Sequence, residues 1–489
     1  MGWDEYRKQV FANQQKMGLL PAVTKLALRN TNIKAWDSLT ADEKKLFAHF
    51  MEVYAGFLTY TDYEVGRVIN YLKQIGQLDN TIVAVMIGDN GASKEGTDVG
   101  TTIGLSAIYQ GAQDESTLFN QVDSLGTEYS SPNYPLGWAL AANAPFHYWK
   151  SDANSEGGTH NPFILFYPKG IKDKGGIRKQ YSHVIDVLPT TIQLAGVKVP
   201  QAINGYKQEP VQGISLAYSV NDANAKSKHT EQYYEIMGSR SVYKDGWKAE
   251  AFHISGNDFD KDTWELYHLD EDWTETENLA AKYPEKLNAL KALFDSDAVK
   301  YNIYPLKDRL SSTRSFAGLN DTKKTVVLYP GATQYWSPSS PRINAGSFSI
   351  IAETDIPENG AEGVLLANGS RFSGITFYVK DHKLHFFLND GYRKVSLVAD
   401  NQIAAGKNNF KIDYAADTGT PSKGGEVTLY INDTKVASQH INVRNGILYY
   451  TYDEGLDIGK DSNTPVDDAN YKVPFVFTGT LNKVIIESR

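Results

Sequence analysis

The sequence predicts three architectures in series along 489 residues: an α/β region of mixed sheet and helices, a small antiparallel β subdomain with a helix, and an all-β sandwich. Three observations carry this. An amphipathic helical pattern leads through a short loop into a run that is apolar on both faces, which is half of an α/β unit. Four short strand-like runs separated by turn residues follow from about residue 230. From about residue 318 the pattern is strand-like, with turns at regular spacing and no long helical period. The boundaries read as 1–229 for the α/β portion, 230–305 for the subdomain, 306–321 for a polar, Ser- and Thr-rich linker, and 322–489 for the sandwich.

Taken in order, Thr40 followed by Glu43 spells a capping box, so a helix starts there. Leu46, Phe47, Phe50, Met51, Tyr54, Phe57, Leu58, Val65, Val68, Ile69 and Leu72 recur at three- and four-residue steps. This predicts one long helix ending near Gly76, with the stripe packed in the core. Residues 81–88, TIVAVMIG, read as a central parallel strand covered by helices on both faces. Residues 162–168, PFILFYP, form a second such run, and a helix follows over 183–194 with Gly196 as its C-terminal cap. Few other runs can neighbour 81–88, so the chain alone is expected to leave strand edge and apolar surface exposed. Runs at 233–236, 240–243, 247–252 and 264–269 read as an antiparallel meander, with Lys244-Asp245-Gly246 as one turn and a helix over 284–293 covering one face. In the last region, 375–379, 384–388 and 427–431 are strands, with turns at Asn432-Asp433 and Asn445-Gly446.

Composition excludes several classes. Hydrophobic residues at 41% and aromatics at 12% are enough to bury a core, so the chain is not disordered over most of its length. The 49 Lys+Arg against 58 Asp+Glu give a net charge of −9, a poor balance for nucleic-acid binding, and no such partner is expected. No apolar stretch reaches membrane-spanning length, so no membrane partner is expected. The opening MGWDEYRKQ has no apolar segment after its charges and does not read as a signal peptide. There is no cysteine, which removes disulfides, thiolate metal ligands and any Cys-derived nucleophile from these residues.

Two segments could carry chemistry. Asp89 and Asn90, in Gly88-Asp89-Asn90-Gly91, follow the 81–88 run, where functional groups of α/β sheets gather. A carboxylate beside an amide carbonyl offers two hard oxygen ligands suited to Ca²⁺ or Mg²⁺; the same four residues also make an ordinary turn. In 144–162, APFHYWKSDANSEGGTHNP, Lys150 precedes Gly157-Gly158 and could hold an oxyanion as a point charge, or simply be solvated. His147 and His160 could act as acid, base or ligand, or be packed beside aromatics. Tyr335 and Trp336 could stack on sugar rings or finish a sandwich core.

Together these segments, with GWDEYRKQVFANQQKMG at the start, IGDNGASKEG in the middle and EQYYEIMGSRSVYKDGWKA after, resemble the arylsulfatase family, in its large bacterial type, over about residues 2–300. The resemblance implies a partial sulfatase (alkaline-phosphatase-like) sheet, with a lectin-like jelly-roll in the all-β tail. It implies that Asp89 and Asn90 are two ligands of a divalent cation, usually Ca²⁺, and that Lys150 contacts the sulfate as a catalytic and substrate-binding residue. His160 stands where relatives often have Arg, so it is a substrate-binding candidate at one remove, and His147 matches no catalytic position. Family members also carry an upstream Asp-Asp metal pair and a Cys/Ser-x-Pro-Ser-Arg motif whose first residue becomes formylglycine. Neither is found among these residues, and the nearest look-alike, Ser339-Ser340-Pro341-Arg342, differs in spacing. The chain therefore reads as the C-terminal part of a sulfatase, inactive alone, its site completed by an N-terminal sulfatase segment. The expected partner is a sulfate ester, aryl or carbohydrate, and the full-length family points to a periplasmic or extracellular setting. Two alternatives stay open: a non-catalytic sulfated-glycan-binding protein, and a phosphodiesterase or phosphonate hydrolase of the same superfamily.

Overall fold

The computed structural model describes residues 1–308, 324–335, 341, 343, 346–418, 423–443 and 454–489. The Asn445-Gly446 turn, Trp336, most of the 306–321 linker and all of Ser339-Ser340-Pro341-Arg342 except Pro341 lie outside the described residues. The chain divides into two compact units, residues 1–94 with 136–310, and residues 95–135 with 311–489. No helix among the described residues is long and apolar enough to cross a membrane.

In the first unit, α1 (Trp3–Lys16) precedes α2 (Ala41–Gln74). The capping box forms as read: the Glu43 N–H donates to Thr40 Oγ1, and the Thr40 N–H donates to Glu43 Oε2 at 2.7 Å. The helix closes with Gly76 at φ +69°. Only its first turns enter the core. Leu46, Phe47 and Phe50 are buried, with Trp3 stacked on Phe47 and the Trp138 indole N–H donating to the Phe47 carbonyl. From Phe57 onward the expected core stripe leaves the core: Phe57, Leu58, Val65 and Val68 are exposed, Val68 at 60%, and Ile69 and Leu72 are only half-buried. At 1.5 Å per residue a helix of 34 residues is about 50 Å long. It outruns the elements packed against its first half.

The 81–88 run is a shorter and different strand from the one expected. Strand β1 (Val83–Met86) pairs antiparallel with β2 (Phe163–Phe166), Val83 opposite Phe166 and Met86 opposite Phe163. This two-stranded ribbon is a sheet of its own, so β1 is not a central parallel strand. Burial on both faces requires neighbouring strands and helices on each side. Among the described residues the pair has only itself, and its strands alternate between half-buried and exposed positions. The expected exposure of apolar surface is there at Met86, Ile87, Ile164 and Phe166.

Helix α5 (Leu136–Ala142) is almost wholly buried, and α6 (Glu156–Thr159) is a single turn. Helix α7 (Val187–Ala195) ends on Gly196 in the left-handed conformation, as read. A small hairpin, β3 (Ala202–Ile203) with β4 (Tyr206–Lys207), follows. The meander forms as expected from β5 (Glu231–Ile236), β6 (Ser239–Lys244), β7 (Trp247–Ala251) and β8 (Trp264–His268) in sequential antiparallel order. Helix α8 (Pro284–Lys300) covers one face, setting Leu290, Phe294 and Ala298 against Val242, Ala249 and Leu266.

The second unit is a two-sheet β structure with one shared core. One sheet has the order β17-β16-β15-β10-β19-β9 and the other β14-β13-β12-β11-β18. In chain order these strands are β9 (Thr325–Leu328), β10 (Phe348–Ile356), β11 (Gly363–Gly369), β12 (Gly374–Lys380), β13 (Lys383–Asn389), β14 (Lys394–Val398), β15 (Gly406–Ala416), β16 (Gly424–Ile431), β17 (Thr434–Asn442), β18 (Leu456–Ile458) and β19 (Thr480–Ser488). Ile350, Ile412 and Ile486 from the first sheet and Leu366, Phe377 and Phe386 from the second fill the core. The Asn432-Asp433 turn has both residues at positive φ, joining β16 to β17 as read. Residues 95–135 hold α3 (Ser106–Gln110) and α4 (Glu115–Asn120), and the Tyr392 hydroxyl donates to the Gly111 carbonyl.

The seating of α8 yields a direct test. Phe294 is fully buried against the meander. Phe294→Ala is expected to cost about 3–5 kcal/mol of stability. Denaturant unfolding followed by tryptophan fluorescence checks this, and a loss below about 1 kcal/mol would mean the helix is not packed there.

Candidate functional site

Asp89 and Asn90 are exposed on the turn just beyond the C-terminal end of β1. The turn is tied down immediately after them. The Gly91 N–H donates to Asn161 Oδ1 at 3.0 Å, and the Ala92 N–H donates to Asn143 Oδ1 at 3.2 Å. The Lys150 N–H donates in turn to the Ala92 carbonyl at 3.0 Å. Gly91 has φ +85°, and a Cβ there would lie 2.4 Å from the Gly157 carbonyl oxygen and 2.9 Å from the Lys150 nitrogen. Only glycine permits that approach. The backbone of the Asp-Asn turn, of Lys150 and of the Gly-Gly pair thus meet in one place.

Asn143, at the end of α5, joins the three segments. Its amide nitrogen donates to the Tyr148 carbonyl at 3.1 Å and to the Gly157 carbonyl at 2.6 Å, while its oxygen holds the Ala92 N–H. Gly157 is required for the same packing, since a Cβ would sit 1.8 Å from the His147 carbonyl oxygen. Neither Asn143 nor Asn161 was singled out by sequence. The available signal was an amide standing at the end of the apolar stretch LGWALAANAPF.

His160 faces inward to other side chains. Its Nδ1 lies 2.8 Å from Glu156 Oε2, and its ring packs on Phe146 and edge-on to Trp273. His147 places Nε2 3.3 Å from Glu275 Oε2. Both histidines lead to a buried charge cluster centred on Lys248. Its ammonium is 2.8 Å from Glu275 Oε1, 2.9 Å from Glu156 Oε1 and 3.5 Å from Glu250 Oε2. The Glu156 N–H donates to Glu275 Oε2 at 2.9 Å. Lys248 and Glu250 share one face of β7, opposite the face that Ala249 turns toward α8.

The electrostatics follow from three carboxylates around one ammonium. Burial disfavours the Lys248 charge, but Glu156, Glu275 and Glu250 outweigh it and hold the ammonium well above its ordinary range. Burial also disfavours ionised Glu275, yet Lys248 and the His147 contact bring that carboxyl below its ordinary value. Glu250 goes the other way: burial and then the neighbouring Glu275 push it well above the carboxylate range. Asp152, buried nearby, is pushed up to about 6, chiefly by burial and against the Ser155 hydrogen bond. Tyr148, Ser151 and Glu275 all have positive φ, so backbone strain gathers around this cluster.

Residues 5–197 match the family model described as Sulfatase, and residues 148–296 match the model described as N-sulphoglucosamine sulphohydrolase, C-terminal. The matches support the sulfatase family. An uncharacterized sulfatase of Schizosaccharomyces pombe is 34% identical over 296 residues, covering 59% of this chain and 50% of the relative. The arylsulfatase of Klebsiella aerogenes is 28% identical over 236 residues, covering 47% of each. An N-acetylglucosamine-6-O-sulfatase of Bacteroides thetaiotaomicron is 25% identical over 258 residues, covering 52% of this chain and 37% of the relative. Among solved structures, Ps i-CgsB aligns with a TM-score of 0.36 at 17% identity over 63% of this chain and 57% of that chain, too loosely to carry an argument. The chain spans about half or less of the length of these curated relatives. The sulfatase match over residues 5–197 gives no support to the reading of this sequence as only a C-terminal part.

Two outcomes are expected from the cluster. Lys248→Met leaves buried Glu156 and Glu275 without their counter-charge and should cost about 3–5 kcal/mol in urea unfolding at neutral pH; a change near zero would show that protons compensate. Asp152→Asn should stabilise. A carboxyl with a raised folded pKa contributes most below its unfolded value and loses that contribution as pH rises through the folded value. The wild-type penalty therefore grows between about pH 4 and 6, and the gain in the variant should reach about 3 kcal/mol at pH 8 and fade toward pH 4. Unfolding curves at several pH values give the profile, and a pH-independent difference would contradict it.

Proposed function

We propose that residues 5–296 serve sulfate-ester hydrolysis, with Asp89 and Asn90 holding a divalent cation of the Ca²⁺ type and Lys150 setting positive charge beside the sulfate. The observation that carries this reading is the convergence of three segments: the Asp-Asn turn is hydrogen-bonded to Lys150 through Ala92 and packed against Gly157 through Gly91. The donor set fits the ion, since both side chains offer hard oxygens on a turn whose backbone is held in place. A bound cation would polarise sulfate oxygens. The chain's own residues bind and orient: Lys150 offsets charge on the ester, and His160 braces Glu156 next to the Gly-Gly turn.

In this reading the formylglycine nucleophile and the other metal ligands come from an N-terminal sulfatase segment outside these 489 residues, and the chain acts as the C-terminal part. Support comes from the exposed apolar faces of β1, β2 and the second half of α2, which have the chemistry of surfaces meant to be covered. The proposed domains are 1–229, alkaline-phosphatase-like; 230–305, the small antiparallel subdomain; 306–321, a linker; and 322–489, a lectin-like jelly-roll. The substrate is an aryl or carbohydrate sulfate, the two classes named for the relatives from Klebsiella aerogenes and Bacteroides thetaiotaomicron.

The chain alone is expected to show no turnover of an aryl sulfate and to bind Ca²⁺ weakly. Co-expression with the N-terminal segment of a bacterial arylsulfatase should restore hydrolysis, and Asp89→Ala or Lys150→Ala should abolish it. Metal-dependent turnover by the chain alone that vanishes in Asp89→Ala would refute the divided-site reading. Restored turnover indifferent to both substitutions would refute the site.

A further inference from the structure

We propose that His147, Glu250 and Glu275 form a second cation site, for a divalent ion of the zinc class, separate from the Asp89–Asn90 turn. One donor atom from each of the three residues lies within 4.8 Å of the other two. Two of the donors make ion contacts but no hydrogen bond: His147 Nε2, 3.3 Å from Glu275 Oε2, and Glu250 Oε2, 3.5 Å from the Lys248 ammonium, on a residue only 2% exposed. A buried carboxylate oxygen left in that state normally has a partner.

Geometry and charge agree on what the partner is. His147 Nε2 and Glu275 Oε2 are 3.3 Å apart. That is about the ligand-to-ligand edge of a tetrahedron with bonds of about 2.0–2.1 Å, the Zn²⁺ distance. One imidazole nitrogen with two carboxylates is a zinc-type donor set, whereas Ca²⁺ takes six to eight oxygens. Around the cluster, Glu156, Glu250 and Glu275 face Lys248. Three carboxyl groups thus stand around one ammonium, a lining that suits a cation and not an anion. The surroundings also orient the ligands: Glu275 is held by Lys248 on one oxygen and by the Glu156 N–H on the other. The His147 side chain is 21% exposed, which leaves a way in from solvent.

The test uses the full chain, stripped with EDTA and titrated with Co²⁺ near neutral pH. One equivalent of Co²⁺ should produce the visible absorption of a four-coordinate site, and Zn²⁺ should displace it. His147→Gln and Glu250→Gln should each weaken binding by at least about tenfold, the smallest loss typical of disturbing such sites. Asp89→Ala should leave the four-coordinate absorption unchanged. His147 lies at a partly exposed loop position, so its variant remains usable if Glu250→Gln unfolds, and circular dichroism checks both. No saturable Co²⁺ signal, a signal unchanged in both variants, or one lost in Asp89→Ala would each overturn the proposal. Because the readout is metal binding and not turnover, failure of the sulfatase reading leaves this result interpretable, and the reverse holds too.

Discussion

Lys248 is the group on which the first unit depends. Its ammonium is fully buried and touches carboxylates from three separate stretches: Glu250 on its own strand, Glu156 on the turn of α6, and Glu275 beyond β8. An ion of this kind is costly to desolvate, and it persists only where several partners converge on it with good geometry. The consequence is positional. The meander, the 143–160 segment and the Glu275 loop are fixed relative to one another because one charge must satisfy all of them. Glu156 carries that constraint onward, since it begins the Glu-Gly-Gly-Thr turn on which the Gly91 backbone rests. A strand of the meander thereby sets the position of a turn about 160 residues earlier in the sequence.

The same constraint explains the composition of the 143–160 segment. Two glycines are needed where backbone meets backbone, Gly157 against His147 and Gly91 against Gly157. Asn143 and Asn161 are needed because the turn's N–H groups have no strand to donate to. Tyr148 and Ser151 accept unfavourable positive φ as the chain folds tightly around the cluster. Such strain survives only when the surroundings over-determine it, and here the buried ion contacts and the amide bridges do so together.

How much of this could be read in the sequence follows from how local each signal is. The α2 start was legible because a capping box is complete within four residues. The meander was legible because its first three strands are joined by short turns and every strand pairs with its sequence neighbour. The β1 environment was not, since an apolar run tells that burial is favourable but not which elements supply it. The Lys248 cluster was missed for a related reason. In Trp247–Ala251 the alternation of Lys and Glu with apolar residues ordinarily marks a solvated face. Here both faces of the strand are buried, one against α8 and the other, through Lys248, against Glu156 and Glu275. Asp89, Asn90 and Lys150 were singled out through a resemblance to the arylsulfatase family that runs over many residues, and the amides that hold the adjoining backbone were invisible because a hydrogen bond across 51 or 70 positions leaves no local pattern.

The turn bearing Asp89 and Asn90 is therefore supported unequally from its two sides. On the strand side, β1 is one half of a four-residue ribbon with exposed apolar positions at Met86 and Ile164. A lone two-stranded ribbon is marginal in water. On the loop side, the Gly91 contact, two amide hydrogen bonds and the Lys150 N–H hold the backbone directly after Asp89 and Asn90. The rigidity of the pair thus derives from the Asn143–Asn161 framework and, through Glu156, from Lys248. The sheet, which in an open α/β fold would ordinarily position such residues, contributes least. Whatever covers the free faces of the ribbon would add to a turn whose backbone is already set, and would not need to create it.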